Sequence, residues 1–305
     1  MSIPIFQVCH SPASRIAVMV TEARKALKDG SSNSSSDASQ STVDRILSDA
    51  EAVATRQDDY LMKSSNLPDP KAPLTKILDE MLAATETTDW AGLYASGQTS
   101  YRLTAAMTSN RYEAGIMTFL SGLLQPRRIL EVGMFTGTMT LAFAAGKSVE
   151  RVVALEAEPF LEGWARPYWK RAGEGINEKI DVRVGFAKDS LEKMVQAGEA
   201  PFDLIFIDAD KPSYPTYFRQ IISNKLLSKK GILLIDNTHF AGTAYAPYTL
   251  PFLFPAGIDQ ESVKKSNGFG EVLVDFNAEV CAHPEVEVVM LPVEDGLTMV
   301  KWKDA

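Results

Sequence analysis

Residues 126–302 predict an α/β fold: a doubly wound, seven-stranded sheet, mostly parallel, ended by an antiparallel hairpin strand, with helices on both faces. Three observations carry this. Five short runs after Pro126 read as strands: 128–132 (RILEV), 151–155 (RVVAL), 180–184 (IDVRV), 203–207 (DLIFI) and 231–235 (GILLI). Near-continuous apolar runs are the pattern of strands covered on both faces. Helical patterns fill the gaps between them, and strictly alternating strand and helix makes a sheet parallel. The end differs. "VEVVMLPVEDGLTMVKW" places two strand patterns around Glu294-Asp295-Gly296, a hairpin signal that turns the last strand antiparallel to its predecessor.

The elements before the sheet are helical. Ile16, Val20, Ala23 and Leu27 share one face of a short N-terminal helix. The Ser-rich stretch 30–42, "GSSNSSSDASQST", is too polar to order itself and reads as a linker. A second helix is expected over about 43–56. Residues 1–58 therefore form an extension, either an arm for a partner subunit or a partly ordered tail, ahead of a domain spanning 59–305. Leu74, Ile77, Leu78, Met81 and Leu82 make an amphipathic helix with Pro73 in its first turn. The next begins near Asn110, carries Ile116, Phe119, Leu120, Leu123 and Leu124, and opens with Asn110 and Glu113 spaced as a capping box.

Composition narrows the function classes. Against 31 Lys and Arg stand 39 Asp and Glu, a net charge of −8, with a pI near 5.1 and no basic cluster. A phosphate-backbone partner is not expected. Cys9 and Cys281 are far apart, so neither a disulfide framework nor a zinc site is implied. The first twenty residues lack a basic region followed by a sustained apolar run, and no apolar stretch is long enough to span a bilayer. A cytoplasmic setting is expected.

The chemistry is expected at the strand ends, where open α/β sheets bind ligands. The first strand ends in "EVGMFTGTMT", whose small residues let a ligand approach the backbone beside a helix N-terminus. A dinucleotide fingerprint needs glycine at 133, 135 and 138; Gly133 is followed by Phe135 and Thr138, so a nicotinamide dehydrogenase is disfavoured. Glu131, two residues before Gly133, disfavours a pyrophosphate and favours a cationic ligand such as the sulfonium and amine of S-adenosylmethionine. Glu156 ends the second strand, where an acid can accept ribose hydroxyls.

Asp208 ends the fourth strand, and Asp236 and Asn237 end the fifth. Neighbouring strands lie about 4.8 Å apart, so the three side chains can converge. Two carboxylates and an amide oxygen are hard ligands suited to Mg²⁺, Ca²⁺ or Mn²⁺, and Mg²⁺ is the ion expected. The competing reading is turn chemistry, since Asp-Asn is also common after a strand. For Lys211 the competing reading is a surface lysine paired with Asp210.

"FIDADK" with two following tyrosines, then "GILLIDN", behind the "EVGMFTG" loop, resembles the cation-dependent O-methyltransferases, a family that includes catechol and caffeoyl-CoA O-methyltransferases. The resemblance covers about residues 59–303 and implies a Rossmann-like class I methyltransferase. It also implies a homodimer and a small aromatic, vicinal-diol acceptor. By that resemblance Asp208, Asp236 and Asn237 hold the divalent cation and Lys211 is the general base. Glu131 and Gly133 line the methionine part of S-adenosylmethionine, with Asp208 alongside. Glu156 meets the ribose, Ala187 the adenine, and Met107, Ser109 and Glu113 pack over the cofactor.

Two departures stand out. Met139 occupies a position where the family has serine, which leaves open a nucleotide-binding module or pseudoenzyme without metal-dependent transfer. An apolar insertion over about 238–263 carries Tyr245, Tyr248, Phe252 and Phe254, read either as an aromatic pocket wall or as a subunit contact.

Overall fold

The computed structural model describes residues 36–65, 72–240, 242–246 and 260–304, and most of 16–27. The chain divides into two compact units, Met1–Leu67 and Pro68–Ala305. The division expected at 58/59 falls inside a helix, Gln57–Ser64. In the first unit the described residues from Ile16 to Leu27 are helical; Ala23 is buried, whereas Leu27, placed on the same apolar face, is half exposed. The serine-rich linker is a correction. It is helical from Ser36, in a helix Ser36–Thr55. Low apolar content does not stop a segment from continuing a helix that Val43 and Ala50 hold down by burial.

The second unit carries a seven-stranded sheet: β1 (Arg128–Val132), β2 (Arg151–Glu156), β3 (Ile180–Val184), β4 (Phe202–Ile207), β5 (Leu227–Ile235), β6 (Val286–Leu291) and β7 (Leu297–Trp302). The spatial order is β3-β2-β1-β4-β5-β7-β6. Strands β1 to β5 pair in parallel, and β7 runs antiparallel to both β5 and β6. The order reverses between β1 and β4, which makes their carboxyl ends the switch point where such sheets open a cleft. Strand β5 begins four residues earlier than the apolar run suggests. Ser228, Lys229 and Lys230 fall outside that apolar run, and the Trp302 indole donates to the carbonyls of Leu227 and Ser228. A register shift against β4 accommodates the extra residues.

The helices of this unit are α1 (Pro73–Thr87), α2 (Trp90–Ala95), α3 (Arg111–Leu124), α4 (Thr138–Ala144), α5 (Pro159–Trp169), α6 (Ala187–Gln196), α7 (Tyr214–Ser223) and α8 (Gln260–Ala282). They cover the two sheet faces with separate apolar clusters. One joins Met81, Met117, Phe143 and Trp169 to Ile129, Leu204 and Phe206. The other joins Leu191, Phe218, Ile221 and Phe276 to Leu130, Val132 and Ile205. Adjacent strand residues thus alternate between clusters, as a pleated sheet requires.

Helix α3 turns differently from its apolar pattern. It buries Glu113, Ala114, Met117 and Ser121, while Phe119 and Leu123 are two-thirds exposed. No described helix is long and apolar enough to cross a membrane. Cys281 is exposed and Cys9 lies outside the described residues.

Candidate active site

The register of the sheet assembles the site. Val132 pairs with Ile207 and Ile207 with Ile235, so Gly133, Asp208 and Asp236 follow side by side on three neighbouring strands. The Asp208 N–H donates to the Val132 carbonyl at 2.9 Å and the Asp236 N–H to the Ile207 carbonyl at 2.9 Å, carrying the ladder one residue past the strands. Gly133 has φ +96, and a Cβ there would lie 2.0 Å from the Asp208 carbonyl oxygen. Only glycine allows β1 and β4 to end this close together.

The loop after β1 rests on carboxylates. Glu156 accepts from the backbone N–H of Phe135 at 2.8 Å and of Met134 at 3.2 Å through one oxygen, and from Glu158 N–H at 2.8 Å through the other. Phe135 holds a left-handed φ of +48, unusual for a bulky residue. The Glu156 carboxylate fixes its N–H, and its ring packs on Trp90 at 5.5 Å. Burial raises the Glu156 carboxyl, against these hydrogen bonds.

Glu158, which the sequence reading missed, is buried and accepts from Ser100 N–H at 2.6 Å and Tyr101 N–H at 3.2 Å. It thereby ties the strand ends to the segment leading to Met107. The only local signal is an acid just before Pro159 at a helix start, a cap position.

A cleft opens at the switch point, lined by Met107, Ser109, Glu131, Gly133, Met139 and Asp208 among others. Glu131 is fully buried: one oxygen accepts from the Thr140 hydroxyl at 2.5 Å and the other has no partner. Burial pushes its carboxyl well above the usual range. An unpartnered buried carboxyl facing a cleft is a place for a cationic ligand. Glu156 and Ala187 do not line the cleft: Glu156 is engaged with the loop, and Ala187 is buried at the first position of α6.

At the β4 and β5 ends the charges gather. Lys211 is buried, and its Nζ donates to Asp208 Oδ1 at 3.1 Å, Asn237 Oδ1 at 2.6 Å and Tyr214 Oη at 2.6 Å. The alternative partner, Asp210, is elsewhere: it accepts from the Tyr217 hydroxyl at 2.7 Å and the Ser213 hydroxyl at 2.5 Å. Lys211 is therefore no surface lysine. Asn237 adopts φ +53, a left-handed conformation that asparagine tolerates and that brings its amide back toward Lys211.

Glu113 delivers half of the expected capping box. The Asn110 side chain accepts from Glu113 N–H at 2.9 Å, but the Glu113 carboxyl turns inward and is buried beside Asp236. Burial, then the charges of Asp236 and Asp208, push Glu113 up to about 9. Burial and the Asp208 charge push Asp236 up to about 7, against the pull of Lys211. One Glu113 oxygen stays buried without a partner. Among the described residues no three His, Cys, Asp or Glu side chains form a metal-holding group; the convergent set here is two carboxylates and an amide.

Of the expected site residues, the fold brings Met107, Ser109, Glu131, Gly133 and Asp208 to one cleft, and Asp208, Asp236, Asn237, Lys211 and Glu113 to its neighbour. Tyr245 is exposed, while Tyr248, Phe252 and Phe254 lie outside the described residues.

The sequence profile of the O-methyltransferase family matches residues 93–303, most of the chain. The chain belongs to the O-methyltransferase family. The methyltransferase is 32% identical over 199 residues to tricin synthase 1 of Oryza sativa subsp. japonica, covering 63% of this chain and 73% of that one. It is 29% identical to caffeoyl-CoA O-methyltransferase 1 of Eucalyptus globulus, with 63% and 74% covered. Among solved structures, the SAH-bound methyltransferase PaMTH1 of Podospora anserina superposes with a TM-score of 0.68 at 30% identity, covering 83% of this chain and 97% of that one. The Bacillus cereus O-methyltransferase in complex with SAH gives 0.58 at 25%, covering 81% and 96%. These agree with the family that the strand-end motifs resemble, and with S-adenosylmethionine as methyl donor.

Proposed function

We propose that the methyltransferase is divalent-cation-dependent and transfers the methyl group to one hydroxyl of a small, catechol-like aromatic diol. The observation that carries this is the strand-end cluster. Asp208, Asp236 and Asn237 leave adjacent strands together, and one ammonium, Lys211, serves a cluster that also contains Glu113. Its hard oxygen donors, the unpartnered Glu113 oxygen and its raised carboxyls fit a dication such as Mg²⁺, which Asp208, Asp236 and Asn237 would hold. When bound, a dication lowers the pKa of a phenol and orients a vicinal pair of hydroxyls.

The chain's own groups do the rest. Glu131 faces the cationic part of the methyl donor, and Gly133 leaves its backbone open to it. Lys211, in its amine form, takes the proton of the attacking hydroxyl, and Asp208 and Asn237 set where that nitrogen stands. Burial of the cluster excludes water from the proton's path. The relatives' names, tricin synthase and caffeoyl-CoA O-methyltransferase, are in keeping with an aromatic acceptor. A homodimer and a cytoplasmic setting complete the proposal, both resting on the resemblance and on composition.

Purified protein, S-adenosylmethionine and a broad panel of catechols test it, with and without EDTA. Methylation abolished by chelator and restored by Mg²⁺ is expected. Transfer indifferent to EDTA sinks the cation, and no transfer to any catechol sinks the acceptor class.

A further inference from the structure

Two of the three acceptors around Lys211, Asp208 Oδ1 and Asn237 Oδ1, belong to the set proposed for the cation. The third does not. Tyr214 is fully buried at the start of α7, with its ring edge-on to Phe276 of α8 at 5.7 Å. Its hydroxyl donates to the Asp236 carbonyl at 3.1 Å and sits 2.6 Å from Lys211 Nζ. A phenol has one proton, and with that proton on the carbonyl it faces Lys211 as an acceptor. Lys211 Nζ also lies 4.8 Å from the Tyr214 ring centroid. A phenylalanine would fill the same space; the two hydrogen bonds are what the hydroxyl adds.

We propose that Tyr214 is a positioning residue: it ties the Lys211 nitrogen to the backbone of Asp236 and so fixes the base relative to the strand-end donors. The inference rests on Lys211 being the base in the function proposed above. Whatever else engages Asp208 and Asn237, Tyr214 remains the partner that holds Lys211 in place. Its own place is set by the Asp236 carbonyl, so base and donor set share one reference point.

The test is Tyr214→Phe in the full chain, which keeps the ring and removes both hydrogen bonds. Misplacing a reacting group by about 1 Å costs up to about a hundredfold, so kcat for catechol methylation is expected to fall about ten- to a hundredfold. The KM for S-adenosylmethionine and the calorimetric Kd for SAH are expected to stay within about twofold of wild type, because Tyr214 does not line that cleft. A second reading is independent of turnover. In protein labelled with ¹⁵N-lysine, the Lys211 ammonium is identified by its loss in Lys211→Met; it is expected to exchange slowly in wild type and to broaden away in Tyr214→Phe. An unchanged kcat, or a Lys211 signal as sharp in Tyr214→Phe as in wild type, overturns the proposal. A parallel collapse of SAH binding also overturns it, marking Tyr214 as a merely structural residue. If wild type methylates no catechol, the proposed function fails and the ammonium signal alone decides whether Tyr214 holds Lys211.

Discussion

The two halves of the site are built from the same residue type and solve opposite problems. At the β1 and β2 ends, the Glu156 and Glu158 carboxylates are committed to backbone N–H groups of the loop and its neighbours. At the β4 and β5 ends, Asp208 and Asp236 share the Lys211 ammonium, and beside them a Glu113 oxygen has no partner. The Glu156 and Glu158 carboxylates are satisfied by the chain itself, so the loop geometry is fixed beforehand, whereas Glu131 at the end of β1 keeps one buried oxygen without a partner. The second half carries more acid than the chain neutralises, in keeping with the cation proposed above. The hydrogen-bond account of each carboxylate shows how much of it the frame already uses.

The sharpest way to break this contrast is Asp208→Ala. Losing even an outer partner of a metal ligand costs about 10–100-fold, so losing a proposed ligand should cost EDTA-sensitive transfer at least about a hundredfold, with the fold intact by circular dichroism. Next comes Gly133→Ala, which forces a Cβ against the Asp208 carbonyl at positive φ. A destabilisation of about 3 kcal/mol in urea melts and lost SAH binding are expected.

The framing half is tested by Glu156→Gln, which turns an NH₂ toward loop donors. It should cost about 1–3 kcal/mol and weaken SAH without changing the sensitivity of transfer to EDTA.

The pH dependence follows the raised carboxyls at the β4 and β5 ends, and Glu131 and Glu156 act in the same direction. Carboxyls raised in the fold keep their protons while the unfolded chain has lost its own. The stability they contribute is full below their ordinary values of 4.5 for Glu113 and 3.8 for Asp236, and is lost as pH climbs toward about 9 and about 7. The Tm of chelated protein should therefore fall between pH 5 and 9, with a gentler slope in Glu113→Gln. A chelated protein whose Tm rises over that range would contradict the proposed charge imbalance.

The smallest effect belongs to Asp210→Asn. Asp210 serves Tyr217 and Ser213, so the loss should be about 1 kcal/mol in stability and far milder in transfer than that of Asp208→Ala. The reverse ranking would show the register of the site to be wrong.

Much of this was legible in sequence because it is local. Apolar runs show where strands lie, and a glycine after a strand marks a close approach that φ +96 and the Asp208 carbonyl make obligatory. "DADK" and "DN" are readable as a pair because each ends a strand. What failed was directional. The pattern on α3 put Phe119 and Leu123 on its apolar side, yet the helix buries Glu113 and Met117, since the sheet and not the helix decides which stripe is covered. The capping spacing of Asn110 and Glu113 was right in one bond and silent about where the carboxyl would turn.

By itself the sequence determined the alternating α/β order, the antiparallel end, the family and which residues reach the strand ends, all consequences of periodicity and of short motifs. Only the tertiary structure decided that Glu156 braces a loop, that Lys211 pairs with Asp208 instead of Asp210, and that Tyr214 stands behind it. Those facts depend on which donors meet which acceptors across neighbouring strands and helices. Hydrogen bonds have ranges of about 3 Å, and no spacing along a chain reports a distance that small between residues that fold together from afar.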